Sequence, residues 1–160
     1  MVPVQVRASS RDDAEWIREV LVEHWGSTRI VSRGKLRHAD QLPCFIAVQS
    51  SRRLGLTTYL IESDQCEIVS MNSLASGLGV GSLLIDAVKS AAISSRCRRL
   101  WLITTNDNTP ALRFYQKRGF QLVALHRDAV TQSRNLKPEI PALGCDGIQV
   151  RDEIELEILL

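Results

Sequence analysis

The 160-residue sequence predicts an α/β fold of the α+β kind, with one mixed, mostly antiparallel, twisted sheet of about six to seven strands flanked by helices. Two observations set the sheet. Three β-type runs, Phe45–Val48, Leu54–Glu62 and Cys66–Leu74, are joined by connections short enough to require antiparallel neighbours. An apolar-periodic segment from Val80 to about Ser94 separates the third run from Arg99–Thr104. A helical crossover of that kind returns the chain parallel, so the centre of the sheet should hold a parallel pair. Composition sets the scale: 44% hydrophobic and 24% charged residues suit a single domain, 1–160, with one sizeable core.

The elements follow in order. Val2, Val4 and Val6 alternate with Pro3, Gln5 and Arg7, the pattern of a half-buried strand, with Pro3 marking an edge or a strand start. Ser9-Ser10 caps a helix over about Arg11–Glu23, whose first turn is acidic and which stops near Gly26. Between Thr28 and Leu42 the pattern is mixed: Ile30-Val31 suits a short strand and Leu36–Leu42 a helical turn ended by Pro43. The meander, the helix from Val80 and the strand Arg99–Thr104 come next. Pro110 is tolerated in the first turn of a short helix, Ala111–Lys117, which Gly119 closes. Phe120–Leu125 reads as a strand and Ala129–Leu136 as helical. A loop with two prolines and two glycines spans 137–147. In the last segment, Ile148–Leu159, Ile154, Leu156 and Ile158 alternate with Glu153, Glu155 and Glu157, which predicts a strand near an edge with one wet face.

Several function classes are disfavoured. A net charge of +2 is too small for a nucleic-acid surface. The four cysteines form no C-x-x-C pair and have only three histidines for company, so neither a zinc site nor a disulfide framework is expected, and no metal is assigned. Cys44 and Cys66 fall in β-type runs and suit a core. The N-terminus lacks the layout of a signal peptide, and no apolar run approaches the ~20 residues that cross a bilayer. The expectation is a cytoplasmic protein without membrane or nucleic-acid partners.

The chain is organised around Glu67–Leu84, where a strand enters a turn with glycines at 77, 79 and 81 and a helix leaves it. Such a turn aims backbone N–H groups and a helix dipole at one point and suits a pyrophosphate. By itself the pattern fits a flexible turn before a core helix equally well. It lacks the Gly-Lys-Ser/Thr of a nucleotide P-loop and the G-x-G-x-x-G of a dinucleotide site.

Two blocks carry a resemblance. The first is Ser76-Gly-Leu-Gly79-Val-Gly81. The second, more specific, is Asn108-Thr-Pro-Ala111-Leu-Arg-Phe114-Tyr115-Gln-Lys-Arg-Gly119-Phe120. With the element order, they make the chain resemble the GNAT superfamily of acetyl-coenzyme A-dependent N-acetyltransferases, firmly over about Cys66–Leu125. The first block departs from the family pattern at Ser76, where Gln or Arg is usual; backbone amides would still provide most of the cradle, and reliance on a basic residue elsewhere, such as Arg113 or Lys117, is open.

The resemblance implies a parallel pair that splays apart, with the pantetheine arm of acetyl-CoA laid between Glu67–Leu74 and Arg99–Thr105. It places Met71, Asn72 and Ser73 along that arm, with the amide of Met71 or Asn72 serving the thioester carbonyl. It places Leu78, Gly79, Val80, Gly81 and Ser82 at the pyrophosphate, and Asn108, Ala111 and Tyr115 against the cofactor. Asn108 doubles as a helix N-cap. Acetyl transfer needs a proton acceptor for the amine and a proton donor for the thiolate. Tyr115 is the candidate acid, since a phenol of pKa ~10 stays protonated at neutral pH; its alternative is a core aromatic. Glu67 is the candidate base, expected to share a strand face with Val69 and Met71; Glu62, His24, Asp128 and Glu153 are rivals, as is a water chain. Trp25, Ser27, Arg33 and the 137–147 loop are candidates for the acceptor pocket, whereas the bland reading of His24-Trp25 is helix end and core.

The implied activity is transfer of an acetyl group to a primary amine, on a small molecule or peptide, by direct attack in a ternary complex. The alternative is a non-catalytic acyl-CoA-binding sensor or interaction module on the same fold. The family often dimerises, so a homodimer is open.

Overall fold

The computed structural model describes all 160 residues, Met1–Leu160. Seven strands form the main sheet in the order β1-β4-β5-β6-β7-β9-β8, with β1 at Gln5–Ala8, β4 at Cys44–Gln49, β5 at Arg52–Glu62, β6 at Gln65–Ser73, β7 at Arg99–Thr105, β8 at Gln121–His126 and β9 at Glu153–Leu159. Only β6 and β7 run parallel. The mixed, mostly antiparallel sheet with one central parallel pair is therefore present. The helices α1 (Ala14–Trp25), α2 (Val80–Ser94), α3 (Thr109–Gln116) and α4 (Ala129–Ser133) accompany it.

Two apolar layers hold the helices to the sheet. On one face Ile17, Val20 and Leu21 of α1 pack with Ile46, Leu56 and Val69. On the other, Ile85, Val88 and Ala92 of α2 and Tyr115 of α3 pack with Ile68, Leu100 and Leu102. Alternation along β7 explains the division: Leu100 and Leu102 point to the α2 side, and Trp101 and Ile103 to the α1 side.

Three local expectations are corrected. The first helix begins as a 3-10 turn at Arg11–Asp13, with α1 proper starting at Ala14. The cause is Asp13, whose carboxylate accepts the Ser10 amide at 2.8 Å and the Arg7 and Arg53 guanidiniums at 2.7 and 2.9 Å. Residues 29–38 form a hairpin, β2 (Arg29–Ser32) with β3 (Lys35–His38), ahead of a 3-10 turn at Ala39–Gln41. Its two-residue turn, Arg33-Gly34, has φ of 49° and 74°, the positive values that a tight hairpin demands. The third correction concerns the polar face of β9, which lies near an edge as expected, one strand in, between β7 and the edge strand β8. Its acidic face is not wet: Glu153 and Glu155 are buried, Glu153 accepting the Arg33 amide at 3.4 Å, while Arg99 donates to Glu155 and Glu157 at 2.9 and 2.6 Å and His126 lies 3.0 Å from Glu155. A periodic pattern records polarity; it does not record counter-ions on neighbouring strands.

Two irregularities in β6 prepare the site. Pairing with β7 ends at Ile68 and Leu102, although β6 continues to Ser73 and β7 to Thr105. The strands part there and leave main-chain groups unpaired between them. On its other side β6 carries a bulge: Thr58 pairs with Ser70 and Tyr59 with Ile68, so Val69 is an extra residue. The bulge reverses the alternation. Glu67 and Val69 face α1, whereas Met71 packs on the α2 side, so the expected common face of Glu67, Val69 and Met71 ends at Val69.

Candidate active site

The gap between β6 and β7 opens into a cavity of about 440 Å³ on the α1 side. Ile68, Val69, Ile103 and Thr104 form its floor, Trp25 and the β2 residues Ile30–Ser32 one wall, and Lys137 and Ile140 a rim that adjoins Trp25. That rim belongs to the loop after α4. Arg134 fastens it by donating to the carbonyls of Pro141 and Val150 at 2.7 Å each, and Lys137 Nζ donates to the Trp25 carbonyl at 2.7 Å. The Lys137 ammonium, buried against the C-terminal end of α1, titrates below the usual lysine range because burial opposes its charge.

Glu67 lines this cavity and is 4% exposed. Burial pushes its carboxyl above the usual range; the neighbouring Ser32 hydroxyl and Arg37 guanidinium oppose that, Arg37 Nη2 lying 3.7 Å from Oε2. Glu67 also lines a second cavity, of about 230 Å³, with Glu62, Gln65 and Trp101, and so forms a wall between the two. Of its rivals, Glu153 and His24 line the main cavity with it, Glu62 lines only the outer one, and Asp128 lines neither. Glu153 is 2% exposed and its carboxyl is likewise raised by burial.

The glycine turn ends at Gly79, which precedes α2 in the left-handed region, φ 69°. The first ladder bond of α2 runs from the Leu83 amide to the Gly79 carbonyl at 3.0 Å. The amides of Val80, Gly81 and Ser82 therefore have no partner in the helix and project from its positive end. Gly81 serves packing as well: a Cβ there would come within 2.6 Å of the Phe114 ring. Leu78 and Ser76 are exposed on the turn.

Along β6, the Leu74 amide donates to the Leu54 carbonyl at 2.8 Å. Antiparallel alternation then directs the Asn72 amide toward β5 as well, and the amides of Met71 and Ser73 toward the gap. Of the two amides considered for a carbonyl in the gap, only that of Met71 faces it. The Asn72 side chain accepts a hydrogen bond from Trp25 Nε1 at 2.9 Å, and Ser73 Oγ donates to the Ala75 carbonyl at 3.2 Å.

Asn108 lines the cavity and caps α3, its Oδ1 accepting the Ala111 amide at 3.2 Å. Tyr115 does not line the cavity. Its ring packs edge-on against Phe114 and Phe120 in the layer that contains Ile68 and Leu102, the last residues before the strands part. Burial raises its phenol above the ordinary range, which strengthens its hold on the proton at neutral pH. Trp25 lines the cavity. Ser27 instead braces the turn after α1, its Oγ accepting the Arg29 amide at 3.1 Å. Arg33 does not line the cavity; its Nη1 lies 3.6 Å from Oε1 of Glu153, which does.

The family model of the acetyltransferase (GNAT) family matches residues 11–120. The chain belongs to that family. A relative in sequence, the uncharacterized protein YdhI of Bacillus subtilis (strain 168), is 40% identical over 139 residues, covering 86% of this chain and 87% of its own. The fold is shared with an IAA acetyltransferase from Bacillus cereus ATCC 14579, at 22% identity and a TM-score of 0.74 over 98% of this chain and 99% of that one. It is also shared with a GNAT family acetyltransferase from Elizabethkingia anophelis with acetyl-CoA bound, at 16% identity and a TM-score of 0.70 over 98% of both chains.

Against the GNAT loop pattern, Ser76 brings no cation to the turn, and the structure shows which residue stands nearest instead. Arg118 Nε donates to Ser82 Oγ at 2.8 Å, in the first turn of α2, with its guanidinium 3.5 Å from the centre of the Phe114 ring. Arg113 and Lys117 line an exposed groove that Arg118 and Thr109 also border. Spacing alone does not select Arg118: three basic residues lie within six positions on and after α3, and only the packing of α3 on α2 separates them.

Proposed function

We propose that this GNAT protein is an N-acetyltransferase that uses acetyl-CoA and acetylates a primary amine bound in the cavity between Trp25 and the 137–147 loop. The observation that carries the reading is the parting of β6 and β7 after Ile68 and Leu102, on the strand that leads into the free amides beginning α2 and whose Met71 packs against the cluster holding Val80. The acetyl-CoA bound to the structural neighbour from Elizabethkingia anophelis supports the choice of co-substrate.

The residues present fit that group. Amides of Val80, Gly81 and Ser82, with Arg118 alongside, suit a pyrophosphate at a helix N-terminus. The gap-facing main chain of Met71 and Ser73 suits an amide-bearing arm, and Asn108 and Ala111 border it. When bound, acetyl-CoA supplies an acyl carbon attached to a good leaving group. The chain supplies the rest. Glu67, in the cavity wall, accepts the proton that an ammonium must lose before it attacks. The Met71 amide donates to the carbonyl oxygen as it gains charge. Tyr115, protonated at neutral pH, gives its proton to the departing sulfur, and the second proton, shed by the nitrogen after attack, restores the phenol by way of water. Trp25 and the fastened loop hold the amine beside the gap, which replaces a bimolecular encounter by a positioned one.

Purified protein incubated with acetyl-CoA and a panel of amines tests the reading through release of free thiol. Turnover on at least one amine is expected. Tight acetyl-CoA binding without turnover on any amine would favour a sensor on the same fold.

A further inference from the structure

The three buried side-chain polar atoms left without a hydrogen-bond partner anywhere in the chain are Ser32 Oγ, Arg37 Nε and Glu153 Oε1. All three belong to residues that surround Glu67. Arg37 pairs with it, and Ser32 and Glu153 both act on its charge. Ser32 and Glu153 line the acceptor cavity and are 4% and 2% exposed. The nearest cation to Glu153 Oε1 is Arg33 Nη1 at 3.6 Å, outside hydrogen-bond distance, on a side chain that is itself 41% exposed.

An unsatisfied buried carboxylate oxygen, in a cavity that also carries an unsatisfied hydroxyl, is a costly arrangement unless an occupant supplies donors. The reacting amine does not fill that need. It has to surrender its proton to attack, and Glu67 is placed to take it. Glu153 enters the cavity from another strand: its backbone pairs with Thr105 at the open end of β7, whereas that of Glu67 pairs with Trp101, four residues back along the strand. Two carboxylates on one cavity, one at the closed end of the gap and one at the open end, match two nitrogens on one molecule.

We propose that the acceptor is a short-chain aliphatic diamine, and that Glu153, with Ser32, holds its second, unreacted ammonium. Glu153 is then a specificity-determining residue rather than a base. The inference rests on the cavity being the acceptor site.

The test compares 1,4-diaminobutane with butylamine, which has the same length and lacks the second charge. Each is measured by calorimetric binding to the protein without acetyl-CoA and by kcat/KM with it, in the wild type, Glu153→Gln and Ser32→Ala. The diamine should exceed the monoamine about tenfold in the wild type, the worth of a hydrogen bond to a charged group. Glu153→Gln should bring the ratio to about one, and Ser32→Ala should reduce it. Equal binding and equal kcat/KM for the two amines in the wild type, a preference that survives Glu153→Gln, or no interaction with either amine overturns the proposal. Selective, Glu153-dependent binding without turnover sustains the diamine site and overturns acetyl transfer instead; turnover of both amines at equal efficiency does the reverse.

Discussion

The indole Nε1 of Trp25, the last residue of α1, donates to the side-chain oxygen of Asn72 on β6 at 2.9 Å. This single bond ties the cavity wall to the strand that borders the gap. Removing it should act on both stability and acceptor binding. Asn72→Ala is expected to lower unfolding free energy by about 1 kcal/mol, the typical worth of such a bond. It should also raise KM for the acceptor more than KM for acetyl-CoA. Denaturant unfolding and steady-state kinetics measure the two effects; an unchanged acceptor KM would detach Trp25 from the pocket.

Gly79 and Gly81 sit two residues apart and should fail differently. Gly79 has open space around it, so Gly79→Glu places an anion in front of the free α2 amides and strains a positive φ by about 1 kcal/mol. Acetyl-CoA binding, measured by calorimetry, should disappear while the fold persists. Gly81→Ala drives a methyl into the Phe114 ring and should lower the melting temperature first. Acetyl-CoA affinity unaffected by Gly79→Glu would remove the cradle from this turn.

The buried Glu67 carboxyl keeps its proton to a higher pH in the folded chain than in the unfolded one. The stability it contributes is complete below the ordinary carboxylate range and is lost as pH rises through the raised value. Catalysis runs the opposite way, because a base works only after it has lost its proton; kcat/KM should climb across that same interval. Glu67→Gln should therefore raise the melting temperature at neutral pH, abolish the acid limb of the pH profile and lower kcat/KM about a hundredfold. An acid limb that persists in the variant would assign the base elsewhere.

Tyr115→Phe deletes one oxygen from a packed ring, so the fold and acetyl-CoA affinity should hold while kcat falls about a hundredfold. Calorimetry and single-turnover kinetics separate the two. Wild-type kcat in the variant would leave Tyr115 as a core aromatic only.

Which parts of this protein were legible without coordinates follows from the range of the interactions involved. The meander, the crossover helix and the glycine turn depend on residues close in sequence: apolar spacing, short connections, and glycine where φ turns positive. They could be read off the chain, as could Asn108 capping its own helix three residues on. The hairpin at 29–38 escaped because its strands are four residues each and its turn uses Arg33, which carries no turn signature. The site was decided at longer range. Whether Glu153 is wet or buried depends on Arg33, 120 positions away in the chain; which amide faces the gap depends on a bulge at Val69; and which cation meets Ser82 depends on how α3 lies on α2. Periodicity reports what each residue would prefer around it. Only the packed sheet determines what is there, and burial next to a particular partner is what turns a carboxylate on a strand into a base or a binding group.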